Sequence, residues 1–490
     1  MNLERLANAL APREIVGSPS VDVQDLAYDA RRVEPGALFF CYAGARSDGH
    51  DFAPEAVDRG AAALVVERPL DLALAQLVVE DARAAMAPAA DVFYGHPTQE
   101  LRVAGVTGTN GKTTTAFLLH AILEAAGLRP GLVTTIETRI GEERVPAVRT
   151  TPEAIDLQRM FRTMLDARNR SCAMEATSHG SELRRLDGVR FAALAFTNLG
   201  QDHLDFHETM ERYFSAKRRL FVETLPPAAI NVDDPWGHRL ADELRGRTEL
   251  LTFGLGEEAH LRADDLELSP EGARFRAAGI ELRTRLRGRF NVANVLAAVA
   301  VSRLLGVDDG AIASGVESLA GVPGRFEPVD EGQPFTVLVD YSHKPDALEG
   351  VLHAARELGP GRVVCVFGCG GDRDRDKRPV MGRIASTLAD AAIVSSDNPR
   401  GEDPLAIIEQ VLAGVEGDVE VVPDRRAAIA RALELAGPGD VVVIAGKGHE
   451  QGQEVAGRVL PFDDRVVARE ILRSMAAPKS DTKHTANAKA

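Results

Sequence analysis

The feature that most constrains the fold of this chain is a glycine- and threonine-rich segment, GVTGTNGKTTT, at residues 105–115. An apolar run typical of a β-strand precedes it, and a run with helical character follows it and ends at Gly127. Glycines between a strand and a helix let successive backbone N–H groups face one anion, and the helix amino terminus adds partial positive charge. The segment therefore predicts a phosphate-binding loop in an α/β domain.

Two side chains of this loop carry specific expectations. Lys112 is expected to neutralise the β- and γ-phosphate oxygens of a nucleotide, and Thr113 is expected to hold Mg²⁺. The strict P-loop pattern fails at its first glycine, because Val106 occupies that position and Gly105 comes one residue early. We interpret the loop as an ATP site, although on its own it would equally suit a GTPase, a kinase or a motor. A glycine-rich turn without a ligand is the structural alternative.

The length of the chain predicts several domains. At 490 residues it exceeds what one hydrophobic core usually organises, so we expect about three domains. The predicted fold class is α/β, with a small amino-terminal α/β domain, a central P-loop ATPase-type parallel-sheet domain and a carboxyl-terminal, Rossmann-like doubly wound domain. The predicted boundaries are 1–95, 96–322 and 323–475, followed by a disordered tail at 476–490.

The carboxyl-terminal third carries five short apolar runs, TVLVD, RVVCVFG, AAIVSS, VEVV and DVVVIAG, separated by helix-length segments. This alternation is typical of a doubly wound, mostly parallel sheet, whose ligands bind at the carboxyl ends of the strands. Four of the runs lead directly into polar motifs, DYSHKPD, GCGGDRDRDKRP, SSDNPRGED and GKGHEQG. We therefore expect ligands to bind among these motifs.

The charge balance argues against two classes of partner. Lys and Arg total 57 against 73 Asp and Glu, and the resulting net charge of −16 repels nucleic-acid phosphates and anionic lipid. Glu4 and Arg5 stand where a secretion signal needs an apolar run, and no uncharged stretch is long enough to cross a membrane. The 4 cysteines are too dispersed to complete a zinc site. We expect a cytoplasmic protein with inert thiols and neither a nucleic-acid nor a membrane partner.

Two polar residues after apolar runs are candidate metal ligands. Glu175 ends the run SCAME, and His203 follows the run AALAF in TNLGQDHLDFH. A carboxylate and an imidazole at strand ends suit a divalent ion that bridges ATP and an acceptor. Taken singly, each residue would more often be structural, but their position after the phosphate loop favours the metal role.

One helix start is predicted from local sequence. In TTPEAIDLQRMFRTMLDAR, Thr151 is expected to be the N-cap and Pro152 the first helical residue. The apolar residues at i, i+3, i+4, i+7 and i+8 share one face, which is expected to pack on a sheet. They are Leu157, Met160, Phe161, Met164 and Leu165.

Ten motifs occur along the chain in a defined order: TGTNGKTTT, MEATSHG, TNLGQDHLDFH, YFSAKRRLF, GRFNVANVLAA, GVPGRFE, VDYSHKPDAL, GCGGDRD, SDNPR and GKGHE. In this order they resemble the Mur ligases of peptidoglycan synthesis. The resemblance implies an ATP-dependent amide ligase of cell-wall biogenesis. The implied reaction adds meso-2,6-diaminopimelate to the D-glutamyl γ-carboxylate of UDP-N-acetylmuramoyl-L-alanyl-D-glutamate (UDP-MurNAc-L-Ala-D-Glu), through an acyl phosphate.

The resemblance also implies roles for nucleotide and metal residues. It implies metal contacts from Thr113, Glu175 and His203, two Mg²⁺ ions, and a carbamate (N6-carboxylysine) on Lys217. Without the resemblance, Lys217 would be interpreted as a surface lysine of a helix. The implied catalytic residues are Lys112, Glu175, His203 and Lys217. The implied ATP-binding residues are Gly108, Thr109, Asn110, Gly111, Lys112, Thr113, Thr114, Asn291, Arg325, Asp340 and His343.

The sequence departs from the family pattern at several residues that the resemblance implies for binding the uridine-linked substrate. The first-domain motif, usually Asp-Ser-Arg, is Asp-Ala-Arg at 29–31 and lacks a hydroxyl, so contacts are expected to shift to backbone or to neighbouring side chains. Leu183 and Arg149 also stand where the family often has Gln and Asn. The implied substrate residues are Ala30, Arg46, Ser47, Thr150, Thr151, Thr177 and Arg185, the last for a carboxylate.

Recognition of the incoming amino acid is implied for the motif DNPR and its neighbours. The distal end of meso-diaminopimelate carries a carboxylate and an ammonium, so an arginine fork beside a carboxylate is complementary to it. Lysine has no distal carboxylate to satisfy Arg400. The structural alternative is that Arg400 pairs locally with Glu402 or Asp403. The implied residues are Arg373, Asp397, Asn398, Pro399, Arg400, Gly446 and Glu450.

Three alternative functions stay open on the sequence. The first is a lysine-adding ligase, and the second is a folylpolyglutamate-type ligase with the same ATP loop. The third is a P-loop NTPase switch, which would hydrolyse ATP without an amino-acid substrate and would act on a partner protein. For the ligase interpretation we expect a monomer whose partners are UDP-MurNAc-L-Ala-D-Glu, meso-diaminopimelate and ATP.

Overall fold

The computed structural model describes residues 1–44 and 47–476. The chain divides into two compact units. The first comprises Met1–Leu266, Arg274–Arg283 and Asn291–Leu319, and the second comprises Glu267–Ala273, Thr284–Phe290 and the chain from Ala320 onward. The predicted three-domain boundaries stay predictions. The predicted disordered tail, from residue 477 onward, lies outside the described residues.

The amino-terminal part of the first unit is a five-stranded sheet with helices. Its strands are β1 (Glu14–Val16), β2 (Asp25–Ala27), β3 (Ala37–Phe40), β4 (Ala63–Val66) and β5 (Ala75–Val78), and its helices are α1 (Leu3–Leu10), α2 (Ala53–Asp58) and α3 (Ala82–Phe93). The strand order is β1-β5-β4-β3-β2, in which β1 is antiparallel to β5 and the other pairs are parallel. Strands β3 to β5 are apolar and buried along their length, as in parallel sheets covered on both faces.

The larger part of the first unit is a nine-stranded sheet. Its strands are β6 (Arg102–Thr107), β7 (Pro130–Val133), β8 (Glu137–Ile140), β9 (Glu143–Pro146), β10 (Ser171–Glu175), β11 (Phe191–Phe196), β12 (Ala228–Asn231), β13 (Leu250–Gly254) and β14 (Leu261–Arg262). Its helices are α4 (Pro97–Glu100), α5 (Lys112–Ala125), α6 (Ala154–Asp166), α7 (Ser178–Glu182), α8 (Leu204–His207), α9 (Met210–Val222), α10 (Pro235–Leu244), α11 (Arg289–Leu304) and α12 (Asp309–Ser318), where α11 and α12 come later in the chain. The strand order is β14-β13-β12-β11-β6-β10-β7-β8-β9.

The centre of this sheet positions the candidate site. Strand β6 lies between β10 and β11, and all three are parallel. Glu175 at the end of β10 is level with Val106, and Phe196 at the end of β11 is level with Thr107. The residues that follow these strands therefore meet at one edge, where the phosphate loop also begins.

Two helices test the sequence expectations. The predicted helix after the phosphate loop is confirmed as α5, and Gly127 just beyond it has φ +70°. The predicted start of α6 is wrong, because the helix begins at Ala154 with Glu153 as its N-cap residue. The hydroxyl of Thr151 instead donates to the backbone oxygen of Glu175 at 3.0 Å, so a contact with another strand outweighs the local capping preference. Of the predicted apolar face of α6, Leu157, Phe161 and Met164 are buried, whereas Met160 and Leu165 are half-buried.

A three-stranded sheet of order β15-β16-β17 follows, with β15 (Asp264–Ser269), β16 (Gly272–Ala277) and β17 (Ile280–Thr284). The second unit contains a six-stranded sheet of order β18-β19-β23-β20-β21-β22, and a hairpin of β24 and β25. Its strands are β18 (Glu327–Pro328), β19 (Thr336–Asp340), β20 (Val363–Phe367), β21 (Ala391–Val394), β22 (Glu420–Val421), β23 (Val441–Ala445), β24 (Gly452–Val455) and β25 (Arg458–Pro461). Its helices are α13 (Pro345–Glu357), α14 (Lys377–Leu388), α15 (Pro404–Leu412), α16 (Arg425–Leu435) and α17 (Asp464–Ala476).

All five strands predicted for the carboxyl-terminal part are present, as β19 to β23, and they are parallel to their neighbours in this set. Two apolar clusters, one on each face of the sheet, form the core of the unit. The doubly wound arrangement predicted from the alternation of strands and helices is therefore confirmed. Within the described ranges no helix is long and apolar enough to cross a bilayer. All 4 cysteines are buried and free of disulfides.

Candidate active site

The phosphate loop is held in shape by the end of β11 and by α11. Gly108 has φ +146°, and a Cβ there would lie 1.9 Å from the Thr197 Oγ1. Gly111 has φ +86°, and a Cβ there would lie 2.2 Å from the Asn294 Oδ1. Both positions therefore require glycine for backbone conformation and for space. The sequence analysis did not single out Thr197 or Asn294, since their contacts join segments far apart in the chain.

Further hydrogen bonds fix the middle of the loop. The Thr197 hydroxyl donates to the backbone oxygen of Asn110 at 2.6 Å, and the Asn198 Oδ1 accepts from the Asn110 N–H at 2.9 Å. The Thr109 hydroxyl lies 3.1 Å from the Tyr213 hydroxyl. The loop is thus ordered by β11 and α9 as well as by its own sequence, which is the preorganisation that an anion-binding loop needs.

Two lysine ammonium groups meet at the backbone of this loop. Lys112 Nζ donates to the carbonyl oxygens of Gly108 and Thr109 at 2.9 and 2.8 Å. Lys217 Nζ, from α9, donates to the same Gly108 oxygen at 2.8 Å and lies 4.6 Å from the centre of the Tyr213 ring. The Lys217 side chain is only 1% exposed. The interpretation of Lys217 as a surface lysine is therefore wrong.

Glu175 connects the loop to the neighbouring strands. Its carboxylate, 1% exposed, accepts a hydrogen bond from the Thr113 hydroxyl at 2.9 Å and one from the Thr135 N–H at 2.8 Å, both at Oε1. The structure thus brings together two of the three predicted metal ligands. Hydroxyl and carboxylate oxygens are the donors that a hard cation such as Mg²⁺ prefers, so these residues fit the implied metal.

His203 has a different environment. Its ring lies 3.1 Å from Asp202 and packs against the rings of His179 and Tyr213, with centroids 4.6 and 6.1 Å away. Burial lowers the pKa of His179 to about 4, so this ring is neutral at pH 7. Across the described residues, no group of three or more His, Cys, Asp or Glu side chains is arranged to hold a metal ion. The role of His203 as a ligand stays a prediction.

The predicted acceptor-substrate threonines belong to the same network as Glu175. The Thr150 hydroxyl lies 3.0 Å from that of Thr135, which in turn contacts Glu175. The Thr177 hydroxyl donates to the Thr151 Oγ1 at 3.0 Å, and Thr151 donates to the Glu175 backbone. One connected set of hydrogen bonds therefore runs from Thr113 of the phosphate loop to the threonines predicted to bind the acceptor.

An arginine cluster surrounds the buried Glu153 at the far end of this network. The Glu153 carboxylate, 2% exposed, lies 2.5 Å from Arg149, 2.8 Å from Arg185 and 3.5 Å from Arg83. Arg185 also donates to the backbone oxygen of Thr151 at 3.3 Å, and burial lowers its pKa. Three guanidinium groups against one carboxylate leave a local excess of positive charge. The sequence analysis singled out Arg185 but neither Glu153 nor Arg83.

Two of the three residues predicted to bind the substrate in the amino-terminal part, Ala30 and Ser47, lie in the described structure. Ala30 is buried in a short 3₁₀ turn that the Asp29 side chain caps through the Arg31 N–H. Asp29 and Arg31 are also paired with each other, and this hydrogen bond lowers the pKa of Asp29. Ser47 is exposed and accepts from the Gly44 N–H at 2.9 Å. Arg46 lies outside the described residues.

The residues predicted to contact adenosine fall in both units. Asn291, in α11, is 2% exposed and accepts from the Asn294 amide at 2.9 Å, which places it one side chain from Gly111. In the second unit, Asp340 ends β19 and accepts from the Phe326 N–H at 2.7 Å, and burial raises its pKa.

Two further predicted nucleotide residues belong to the second unit. The Arg325 guanidinium lies 4.5 Å from the centre of the Tyr341 ring. His343 Nδ1 lies 2.7 Å from the Tyr341 backbone oxygen. Both predicted residues therefore contact Tyr341, which follows Asp340 directly after β19.

Most of the residues predicted to bind the incoming amino acid are brought together in the second unit. They follow the adjacent parallel strands β20, β21 and β23. Arg400 donates to the backbone oxygen of Gly371 at 2.8 Å and lies 3.2 Å from Glu454 of the hairpin, rather than pairing with Glu402 or Asp403. Gly446 has φ +125°, and a Cβ there would lie 2.4 Å from the Asp397 Oδ2.

The amide of Asn398 lies at the centre of this group. Its Nδ2 donates to the Glu450 Oε2 at 2.8 Å, and its Oδ1 accepts from Lys447 Nζ at 2.9 Å. Arg373 is exposed and donates to the backbone of Asp372 at 3.3 Å. The other members of the predicted set form one polar cluster, to which Lys447 is an addition that the sequence analysis missed.

Comparison with known proteins identifies the family. Three family descriptions match successive parts of the chain: "Mur ligase family, catalytic domain" over residues 22–95, "Mur ligase middle domain" over 106–302 and "Mur ligase, glutamate ligase domain" over 324–448. A relative from Solibacter usitatus is 46% identical over 488 residues, which cover 96% of this chain and 98% of the relative. The chain belongs to the Mur ligase family. That relative is named UDP-N-acetylmuramoyl-L-alanyl-D-glutamate--2,6-diaminopimelate ligase.

Solved structures agree with the Mur ligase assignment. A structure of a UDP-N-acetylmuramoyl-L-alanyl-D-glutamate--2,6-diaminopimelate ligase is 32% identical, has a TM-score of 0.70, and the match covers 98% of this chain and 100% of that one. MurF from Thermotoga maritima in complex with ADP, at 22% identity and a TM-score of 0.63, covers 93% of this chain and 99% of that one and shares the fold. The predicted fold class is confirmed. As a Mur ligase the chain is an enzyme of the ligase class, so the interpretation as an NTPase switch is wrong.

Proposed function

We propose that this Mur ligase adds meso-2,6-diaminopimelate to the D-glutamyl γ-carboxylate of UDP-MurNAc-L-Ala-D-Glu, with hydrolysis of ATP to ADP and phosphate. One observation carries the proposal. Glu175 joins Thr113 of the phosphate loop to the hydrogen-bonded threonines that are predicted to bind the acceptor. ATP and a carboxylate acceptor would therefore bind next to each other. The names of the relatives support the identity of the acceptor and of the amino acid.

The nucleotide end of the site suits a triphosphate. The backbone N–H groups of 108–114 and the amino terminus of α5 attract anionic oxygens, and Lys112 already lies against the loop. Asn291, Arg325, Asp340 and His343 are proposed to bind the rest of the nucleotide. Thr113 and Glu175, with His203, are proposed to hold Mg²⁺, which when bound would offset the charge repulsion between phosphate and carboxylate.

The chemistry requires two displacements, the first at the γ-phosphorus of ATP and the second at the acyl carbon of the acceptor. A γ-carboxylate oxygen of the D-glutamyl residue attacks the γ-phosphorus, the bond to ADP breaks, and an acyl phosphate forms. The free amine of the amino acid then attacks the acyl carbon, phosphate leaves, and the amine nitrogen loses a proton. Arg185 with Thr151 and Thr177 is proposed to bind the acceptor, so that the attacking oxygen is oriented toward the phosphate loop.

Lys217 is proposed to carry a carbamate. Carbon dioxide bonds to the neutral Nζ, which loses a proton, and the cation becomes an anion. The buried position of Lys217 beside Gly108 supports the proposal, because a negative group at that place would add oxygen donors near Thr113 and Glu175. Intact-mass analysis with and without bicarbonate tests it. A Lys217→Ala enzyme that retains full activity would overturn it.

Selection of the amino acid is proposed for the cluster in the second unit. Arg400 would bind the distal carboxylate, and Glu450 with Asn398 would bind the distal ammonium. We also predict that the enzyme is a monomer in the cytoplasm. Contacts of Ala30, Arg46 and Ser47 with the uridine-linked substrate stay predictions.

The test is an ADP-release assay with UDP-MurNAc-L-Ala-D-Glu as acceptor, run in parallel with meso-diaminopimelate, L-lysine and no amino acid. We expect ADP release with meso-diaminopimelate at least 100-fold faster than with the other two. Comparable rates with L-lysine would instead indicate a lysine-adding enzyme. Turnover with a folate and glutamate in place of both substrates would indicate a folylpolyglutamate-type ligase, and would overturn the proposal.

A further inference from the structure

Lys447 is a fully buried cation with no role in the function described so far. It follows β23 in the motif GKGHE, and its side chain has an exposed fraction of 0%. Its ammonium donates to the Asn398 Oδ1 at 2.9 Å and lies 3.2 Å from the Glu450 Oε2. Burial of an ammonium is costly unless hydrogen bonds and an opposite charge compensate it. The contacts with Asn398 and Glu450 therefore compensate the burial of the Lys447 ammonium.

Both partners of Lys447 are residues proposed to bind the amino acid, and they also contact each other. The Asn398 Nδ2 donates to the Glu450 Oε2 at 2.8 Å. The Asn398 Oδ1 also accepts from the Glu454 N–H at 3.0 Å. An inverted amide would direct its NH₂ group at the ammonium and at this N–H, so two donors fix the orientation of Asn398. Lys447, Asn398 and Glu450 form a closed triangle of hydrogen bonds.

The triangle extends from the interior to the surface. The Lys447 side chain is inaccessible to solvent, whereas the Glu450 side chain is 30% exposed. The hydrogen bonds from Asn398 and Lys447 are both accepted by the Glu450 Oε2. The buried ammonium therefore orients a carboxylate that is itself partly exposed.

Two ion pairs of the cluster balance each other. Lys447 is paired with Glu450, and Arg400 lies 3.2 Å from Glu454. These two cations and two carboxylates sum to zero, which suits a ligand end that carries one ammonium and one carboxylate, and the remaining carboxylate of the cluster, Asp397, is buried. Without Lys447 the cluster would carry net negative charge and would favour a ligand end that bears an ammonium alone.

We propose that Lys447 is a positioning residue for amino-acid selection: it holds Asn398 and Glu450 in the orientation that receives the zwitterionic distal end of the diamino acid. The inference rests on the proposed function, since it concerns the same site. Lys447 acts through its two partners and does not touch the substrate. Its loss therefore affects binding and selection of the amino acid, and leaves ATP and the acceptor unaffected.

The test compares Lys447→Met with the wild-type enzyme. Methionine keeps the length of the chain and removes the ammonium. We expect KM for meso-diaminopimelate to rise at least tenfold, while KM for ATP and for UDP-MurNAc-L-Ala-D-Glu stays within twofold. The ratio of kcat/KM for meso-diaminopimelate to that for L-lysine should fall at least tenfold. Arg362→Met is the control, because it breaks an ion pair with Asp440 at the opposite edge of the same sheet.

A second variant keeps the test decisive if the single substitution prevents folding. Lys447→Met combined with Glu450→Gln removes both charges of the pair, so no uncompensated carboxylate remains. A background of Asn398→Ala with Glu450→Gln removes both partners of Lys447, so adding Lys447→Met there should leave KM for meso-diaminopimelate unchanged within twofold. A further rise in that triple variant would overturn the inference.

Two other outcomes separate the possibilities. If Lys447→Met raises all three KM values equally, or none of them, Lys447 is a structural residue only and the inference is wrong. If the wild-type enzyme itself shows no turnover of meso-diaminopimelate, the proposed function fails before Lys447 is tested. An Arg362→Met enzyme with the same change in selectivity would show that general destabilisation causes the effect, and would also overturn the inference.

Discussion

Gly111→Ala is expected to damage the phosphate loop by two separable effects. The first is conformational, because Gly111 has φ +86° and an L-residue in the left-handed region costs about 1–2 kcal/mol. The second is steric, because the new Cβ would lie 2.2 Å from the Asn294 Oδ1. Overpacking of this kind costs about 1–3 kcal/mol. We therefore expect a total loss of about 2–5 kcal/mol in the free energy of unfolding.

The chain offers a matched control at the other end of the same helix. Gly127 follows α5, has φ +70°, and a Cβ there would meet nothing within 4 Å. Gly127→Ala should therefore show the conformational cost alone, about 1–2 kcal/mol. Thermal unfolding followed by circular dichroism should show a Tm for Gly111→Ala at least about 2 °C below that of Gly127→Ala. Calorimetric titration should show at least tenfold weaker nucleotide binding for Gly111→Ala only.

A double variant isolates the steric effect. Asn294→Ala removes the oxygen that the new Cβ would meet, so Gly111→Ala in that background should cost about 1–3 kcal/mol less than in the wild-type protein. Equal Tm values for Gly111→Ala and Gly127→Ala, with unchanged nucleotide binding in both, would refute the assignment of Asn294 as the group that shapes this loop. Additive costs in the double variant would refute it as well.

Three further perturbations have defined outcomes. Glu175→Gln is expected to slow phosphate release at least 100-fold in a coupled assay. The amide oxygen can still accept from the Thr113 hydroxyl and the Thr135 N–H, but a neutral amide cannot be the charged metal ligand that Glu175 is proposed to be. A near-normal rate would exclude Glu175 from the mechanism. Arg425→Met leaves the fully buried Asp464 without its ion-pair partner and should destabilise the protein by about 3–5 kcal/mol in thermal unfolding. The double variant Arg425→Met with Asp464→Leu should recover most of that loss. No recovery in the double variant would contradict this account. Burial lowers the pKa of His120 to about 4, so between pH 6.5 and 4 the unfolded state binds more protons and stability falls as the pH falls. His120→Gln should therefore remove about 2 kcal/mol of the stability difference between pH 7 and pH 5 measured by denaturant unfolding, and an unchanged difference would contradict the assigned cause.

The parts of the fold that sequence reasoning predicted are those set by local patterns. Four of the five strands predicted for the second unit, β19, β20, β21 and β23, are continuous apolar runs that are mostly buried, and such runs need no knowledge of distant residues. The fifth, β22, is only two exposed residues long. The phosphate loop is also local, since a strand, glycines and a helix lie within one short segment. The apolar face of α6 follows from helical periodicity alone.

The errors and omissions arise from contacts between distant segments. Thr151 has an ideal capping sequence, yet its hydroxyl bonds to the backbone of Glu175 in β10, so the helix begins later. Lys217 has the sequence context of an exposed helix position, and only the packing of α9 against the loop shows that it is buried. Neither Glu153 nor Lys447 was singled out, because a local partner, Arg149 or Glu450, does not reveal burial. Their other partners, Arg83 and Arg185 for Glu153 and Asn398 for Lys447, are many residues away in the sequence.

The arginine cluster around Glu153 would affect how fast the enzyme meets the acceptor proposed above. The whole chain has a net charge of −16 and at long range would repel that proposed acceptor, a nucleotide sugar that carries phosphates and carboxylates. The excess positive charge of Arg83, Arg149 and Arg185 acts only over roughly 10 Å at 0.1 M salt, so attraction begins once the substrate is already close. Raising the ionic strength weakens both fields, and the balance between distant repulsion and near attraction sets the encounter rate.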